Sequence, residues 1–181
     1  PKPDGQQKCV HAFIGKLKDG TIATYQTLPW DHRGWHAGGK ANDTHIGIEI
    51  CEDNLTDSAY FNAVYQEAVE LCAYLCKEFG LTEKDIVCHS EGYQLRIASN
   101  HSDVMHWFPR HGKNMNTFRA DVKKELEKRA EEKDAVKVKI KDKEILGKLI
   151  DDKVWVPLRE LIDALVIDLV WDEQNKTVII K

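Results

Sequence analysis

Several things are missing from this sequence, and each absence removes a class of function. No apolar run approaches the ~20 residues that a membrane-spanning helix requires, so no membrane span is expected. There is no basic excess: 26 Lys and Arg against 30 Asp and Glu give a net charge of -4 and a pI near 6.1. A nucleic-acid partner is excluded on that ground, because phosphate binding needs a basic surface. No C-x-x-C pair occurs among the five cysteines at positions 9, 51, 72, 76 and 88, and five is an odd number. Neither a disulfide framework nor a four-cysteine zinc site is indicated. The cysteines read as free thiols, with Cys72 and Cys76 as small core residues of an apolar helical stretch. Proline and low-complexity tracts are scarce, and 42% hydrophobic with 31% charged residues describes a folded globular chain. The chain starts at Pro1 with no signal peptide, and sequence upstream of it is expected.

A further absence divides the chain. All eight histidines lie between His11 and His111, and no cysteine follows Cys88. Eleven of the fifteen residues 120–134 are charged, without Gly or Pro. They predict a solvated helical connector that continues a helix beginning near Asn114 with Phe118, Val122 and Leu126 on one face. The expected organisation is a main domain over 1–122, a connector over 123–134 and a small module over 135–181.

In the main domain, alternation over 9–15 and 21–28 around Lys18-Asp19-Gly20 predicts a hairpin. Residues 46–51 predict a strand and 85–88 another, followed by a loop. From Thr56 to Phe79 apolar residues recur at helical spacing, with Thr56, Asp57 or Ser58 as cap and Gly80 as stop. The result is a mixed sheet with helices against it. The tail predicts β–β–α–β–β: 136–140, 154–156, a helix starting at Pro157, then a hairpin around Glu173-Gln174-Asn175.

Three groups of residues carry chemistry. His89, then His101-Ser102-Asp103 and His106, offer imidazoles and a carboxylate from loops at a strand end, a donor set that suits zinc with one coordination position left open. The alternative is surface histidines and hydrogen-bonded fillers. Trp35-His36-Ala37-Gly38, preceded by Leu28-Pro29-Trp30, combines flat apolar faces with close backbone approach, as in a ligand platform or a loop pinned by a core tryptophan. Glu49 interrupts the apolar strand Ile46-Gly47-Ile48-Glu49-Ile50, which suggests a general base with a raised pKa, or else an edge strand with one face in solvent.

The segments His11-Ala12-Phe13-Ile14, Leu28-Pro29-Trp30, Trp35-His36-Ala37-Gly38, Thr44-His45-Ile46-Gly47-Ile48-Glu49-Ile50 and Cys88-His89-Ser90-Glu91-Gly92 follow one another as in the zinc-dependent N-acetylmuramoyl-L-alanine amidases. Residues 9–122 resemble this type 2 amidase, or peptidoglycan recognition protein, family. The resemblance implies an α/β fold with a central mixed sheet flanked by helices. It also implies cleavage of the amide between N-acetylmuramic acid and the L-alanine of the stem peptide. By the same resemblance His89 and Asp103 are zinc ligands with His106 in reserve, Glu49 is the catalytic glutamate, and His101 stabilises the oxyanion. His11 stands where relatives carry a polarising Tyr, and Trp35, His36, Ala37 and Gly38 shape the substrate groove. Val104 stands where the family writes Pro, and the family's first zinc histidine and its strand are expected ahead of Pro1, so activity is expected to need them. The resemblance implies an endolysin or autolysin acting at the bacterial cell wall, or a non-catalytic peptidoglycan-binding module. The tail is similar to stalk modules related to the N-terminal domain of copper amine oxidases. It is expected to attach the protein to the wall or to make it a homo-oligomer.

Overall fold

A computed structural model describes residues 8–165 and 169–180; residues 1–7 of the expected main domain and 166–168 and Lys181 of the expected tail module lie outside it. The chain divides into two compact units, Pro1–Leu126 and Glu127–Lys181.

In the first unit, β1 (Ala12–Lys16) and β2 (Ile22–Gln26) form the expected antiparallel hairpin, with Ala12 opposite Gln26. After a short helix α1 (Ala41–Thr44), β3 (Ile48–Ile50) runs parallel to β1, so the sheet has the mixed order β2-β1-β3. Ala12 pairs with Ile48 and Ile14 with Ile50. By the two-residue period of a strand these four share the face packed on the core, while Phe13 and Glu49 share the other.

Helix α2 (Ser58–Phe79) supplies most of that core. It starts where Asp57 accepts hydrogen bonds from the amides of Ala59 and Tyr60, both 3.0 Å. It stops at Gly80, whose left-handed φ of 65° suits a residue without a side chain. Phe61, Val64, Tyr65, Ala68, Cys72 and Leu75 are all buried. Each large apolar side chain so buried contributes roughly 1.5–3 kcal/mol of transfer free energy. Phe61 meets Trp107 edge-on at 5.2 Å and Phe108 at 5.6 Å, and it stacks on His111 at 4.0 Å. Helix α4 (Met115–Asp134) closes the core with Phe118 and Val122 and continues as one helix through the charged stretch.

The strand expected over 85–88 is not formed. Glu83–Asp85 is a turn of 3-10 helix capped by Thr82, and His89 begins helix α3 (His89–Gln94) rather than ending a strand. The cause is local: Glu91 accepts the Cys88 amide at 3.1 Å, which makes Cys88 a helix cap. No strand among the described residues runs beside 86–88 to supply a ladder. Between those residues and β3 lies a cavity of 640 Å³, apolar where Cys72, Leu75, Ile86 and Phe118 line it.

The second unit contains a sheet of β4 (Ala135–Ile140), β5 (Lys143–Ile150) and β6 (Lys153–Trp155), then helix α5 (Leu158–Leu165) and the hairpin β7 (Leu169–Asp172) with β8 (Thr177–Ile180). Strand β5 corrects the sequence reading. Leu146 and Ile150 on one face are as apolar as Ile145 and Leu149 on the other, so no alternation announces it. Among the described residues no helix is long and apolar enough to cross a membrane.

Candidate metal centre

Three potential ligands meet beside the 640 Å³ cavity, which His89 and Asp103 line. The donor atoms of His89, His101 and Asp103 lie within 4.8 Å of one another. The chain places them by ties between positions far apart in sequence. The Ser90 amide donates to the Asp103 carbonyl at 3.2 Å, which keeps the two ligand-bearing segments side by side. Behind them Arg119 of α4 donates to the Ile86 carbonyl at 2.9 and 2.7 Å and pairs with Glu91 at 2.6 Å, clamping the chain just before His89. His101 Nδ1 lies 2.8 Å from Asp103 Oδ2. On the other carboxylate oxygen, His106 Nδ1 lies at 3.3 Å while its Nε2 pairs with Glu52. His106, the reserve ligand, is thus occupied by Glu52 in a second group, Glu52, Asp103 and His106.

Two imidazoles and a carboxylate at this mutual distance fit zinc. Zinc takes nitrogen and oxygen donors about 2.0–2.2 Å away in tetrahedral sites.

Glu49 lies on the same cavity, and β3 is an edge strand of its sheet. Its side chain reaches solvent, yet its carboxyl is held above the usual carboxylate range. Partial burial in the cleft is the main cause, and the negative charges of Asp103 and Glu52 outweigh the opposing His101. The edge position and the raised pKa, offered by the sequence as alternatives, occur together.

The loop with Trp35, His36, Ala37 and Gly38 is built from outside itself. Buried Asn42 accepts the amides of His36 and Ala37, both at 2.8 Å. Trp35 exchanges two backbone hydrogen bonds with Cys9 and is about half exposed, while Arg33 lies over its ring at 5.9 Å. The His36 ring lines the cavity and is held from behind. Its Nε2 donates to the His45 carbonyl at 3.1 Å, and burial pushes its pKa down. The ring lies against Gly47, where an added Cβ would stand 2.2 Å from Cγ, so only glycine fits.

His11 is placed differently from the expected polarising role. It is 1% exposed; Nδ1 accepts the Gly47 amide at 2.9 Å and Nε2 donates to the His32 carbonyl at 2.8 Å. Both nitrogens are committed, so His11 is a framework residue that ties β1 to the start of β3. Sequence reasoning missed Asn42, Ser99, Glu52 and Arg119, whose roles depend on contacts across 5 to 62 residues of chain. Only the 5-residue separation of Ala37 and Asn42 is within reach of a local pattern.

The family model described as N-acetylmuramoyl-L-alanine amidase matches residues 2–109. The chain belongs to that family. The amidase match covers every residue of the metal group and of the Trp35 loop. N-acetylmuramoyl-L-alanine amidase CwlH of Bacillus subtilis (strain 168) is 39% identical over 71 residues, which span 37% of this chain and 27% of the relative. The Staphylococcus aureus hydrolase AmiA, solved in complex with its ligand, superposes with a TM-score of 0.59 at 19% identity, covering 70% of this chain and 62% of that one. At that identity the second comparison speaks for the α/β amidase fold.

Proposed function

We propose that this chain is the catalytic part of a zinc-dependent peptidoglycan amidase, an endolysin or autolysin that cleaves between N-acetylmuramic acid and the L-alanine of the stem peptide at the bacterial cell wall. The observation that carries the reading is the convergence of His89, His101 and Asp103 beside Glu49 in a domain of the amidase family. His89 and Asp103 hold the metal. Zinc, when bound, polarises the scissile carbonyl and makes a water acidic enough to lose its proton near neutral pH. Glu49, with its raised pKa, accepts that proton and returns it to the departing amine of L-alanine. His101 is oriented through Nδ1 by Asp103, and when its ring is doubly protonated its other nitrogen donates to the carbonyl oxygen as negative charge develops there. Trp35 offers a flat face for the substrate at the rim, and buried Ala37 and Asn42 fix its loop. The 135–181 module, with Trp155 and Trp171 exposed, serves wall attachment or self-association.

The test measures zinc content and muropeptide cleavage in the protein and in its Glu49→Gln variant. The wild type should bind one zinc and release stem peptides with a free L-alanine amine. Glu49→Gln should keep the metal and lose about 10²–10⁴-fold in rate, the range for a general base. A wild type that cleaves nothing and binds no zinc, yet sediments with cell walls, would leave a recognition module in place of an enzyme.

A further inference from the structure

Ser99, two residues ahead of His101, touches both the metal group and the Trp35 loop. Its backbone amide donates to the Ala37 carbonyl at 2.7 Å, and its hydroxyl donates to the same oxygen at 3.1 Å. His89 Nε2 lies 3.2 Å from that hydroxyl oxygen. The protons can be counted. A carbonyl only accepts, and a serine hydroxyl has one proton to give. With that proton on the Ala37 carbonyl, the Ser99 oxygen is an acceptor toward His89, so His89 Nε2 carries a hydrogen. The lone pair of the neutral ring then sits on Nδ1.

We propose that Ser99 is a positioning residue: its hydroxyl holds His89 as the Nε2–H tautomer, presents Nδ1 as the ligating nitrogen, and joins the metal histidine to the loop that carries Trp35. The proposal deepens the zinc-amidase reading and rests on it for the metal. The packing supports it. A Cβ on Gly38 would stand 2.8 Å from the Ser99 Oγ and 2.9 Å from its Cβ, so the loop lies directly on the Ser99 side chain. The three groups form a one-way chain from His89 N–H through Ser99 O–H to the Ala37 carbonyl. Partners that donate or accept behind a metal histidine set its tautomer and ring orientation, and their loss typically weakens metal binding 10–100-fold.

Two measurements test this. In the 181-residue chain without metal, the ¹⁵N shifts of His89 should show a protonated Nε2 and a bare Nδ1, and Ser99→Ala should shift this toward a tautomer mixture. With zinc supplied, chelator competition should show the metal bound about 10–100-fold more weakly by Ser99→Ala, with Ser99→Thr restoring the affinity. A wild-type His89 protonated on Nδ1, or a Ser99→Ala protein with wild-type shifts and wild-type zinc affinity, overturns the proposal. If the wild type binds no zinc, the zinc-amidase reading fails on its own, and the His89 shifts still decide what Ser99 does.

Discussion

The two units handle apolar side chains in opposite ways. In the first, Phe61, Trp107, Phe108 and Val122 are all but inaccessible, and the histidines and carboxylates of the metal group stand on the segments these residues fix. In the second, Ile145, Ile162 and Ala164 are the buried apolar residues among those described, while Trp155 is 60% and Trp171 49% exposed. A unit that must hold donor atoms within a few tenths of an ångström needs a core that over-determines its frame. A small unit cannot bury enough surface to do so. No histidine or cysteine is found in it, and its two tryptophans lie at its surface.

Substitutions can break this contrast or sharpen it. Phe61→Ala should have the largest effect. It empties a site ringed by Trp107, Phe108 and His111 and should cost about 3–5 kcal/mol, read by denaturant unfolding of the first unit with the second unit's transition unmoved. Next, Gly47→Ala forces a methyl into the His36 ring and should cost about 1–3 kcal/mol. Because Gly47 leads directly into β3, the same variant should lose activity through Glu49, visible as a fall in kcat at unchanged zinc content. A third test uses pH. With its pKa raised in the folded state, Glu49 keeps a proton that the unfolded chain releases once pH exceeds about 4.3. Stability is therefore undiminished below that value and declines as pH rises through the folded pKa. Glu49→Gln should match the wild type in unfolding midpoint at low pH and exceed it at neutral pH. Smallest of all should be Trp155→Ala, within about 0.5 kcal/mol as for an exposed side chain. A larger loss there would mean that this tryptophan is packed, and the contrast between the units would fail.

How far the sequence could be read follows from the range of the forces involved. Helix α2 was legible end to end, because Asp57, the spacing of Phe61, Val64, Ala68 and Cys72, and Gly80 are all local signals. The hairpin of β1 and β2 was legible for the same reason. The metal group was legible as residue types, His89 and Asp103 above all, but its assembly was not. Ser90 meeting Asp103 and Arg119 meeting Ile86 are contacts between distant positions. His11 shows the converse. It looked like chemistry, and both its nitrogens turned out to be occupied, since a histidine's pattern in sequence does not reveal where its two nitrogens point. Strand β5 was missed because a strand with apolar residues on both faces loses the period that identifies it.

The pairing of Cys9 with Trp35 has a practical consequence. Cys9 is the exposed thiol of the chain, whereas Cys72 is buried and its pKa is pushed up to about 12, so it yields almost no thiolate at neutral pH. A maleimide dye should therefore react at Cys9 far faster than in the core. The dye would stand beside the Trp35 indole, held there by the hydrogen bonds of 2.8 and 3.1 Å that join the two backbones. Quenching of such a dye by the indole would report how this rim moves as a glycan strand arrives, without adding a residue to the protein.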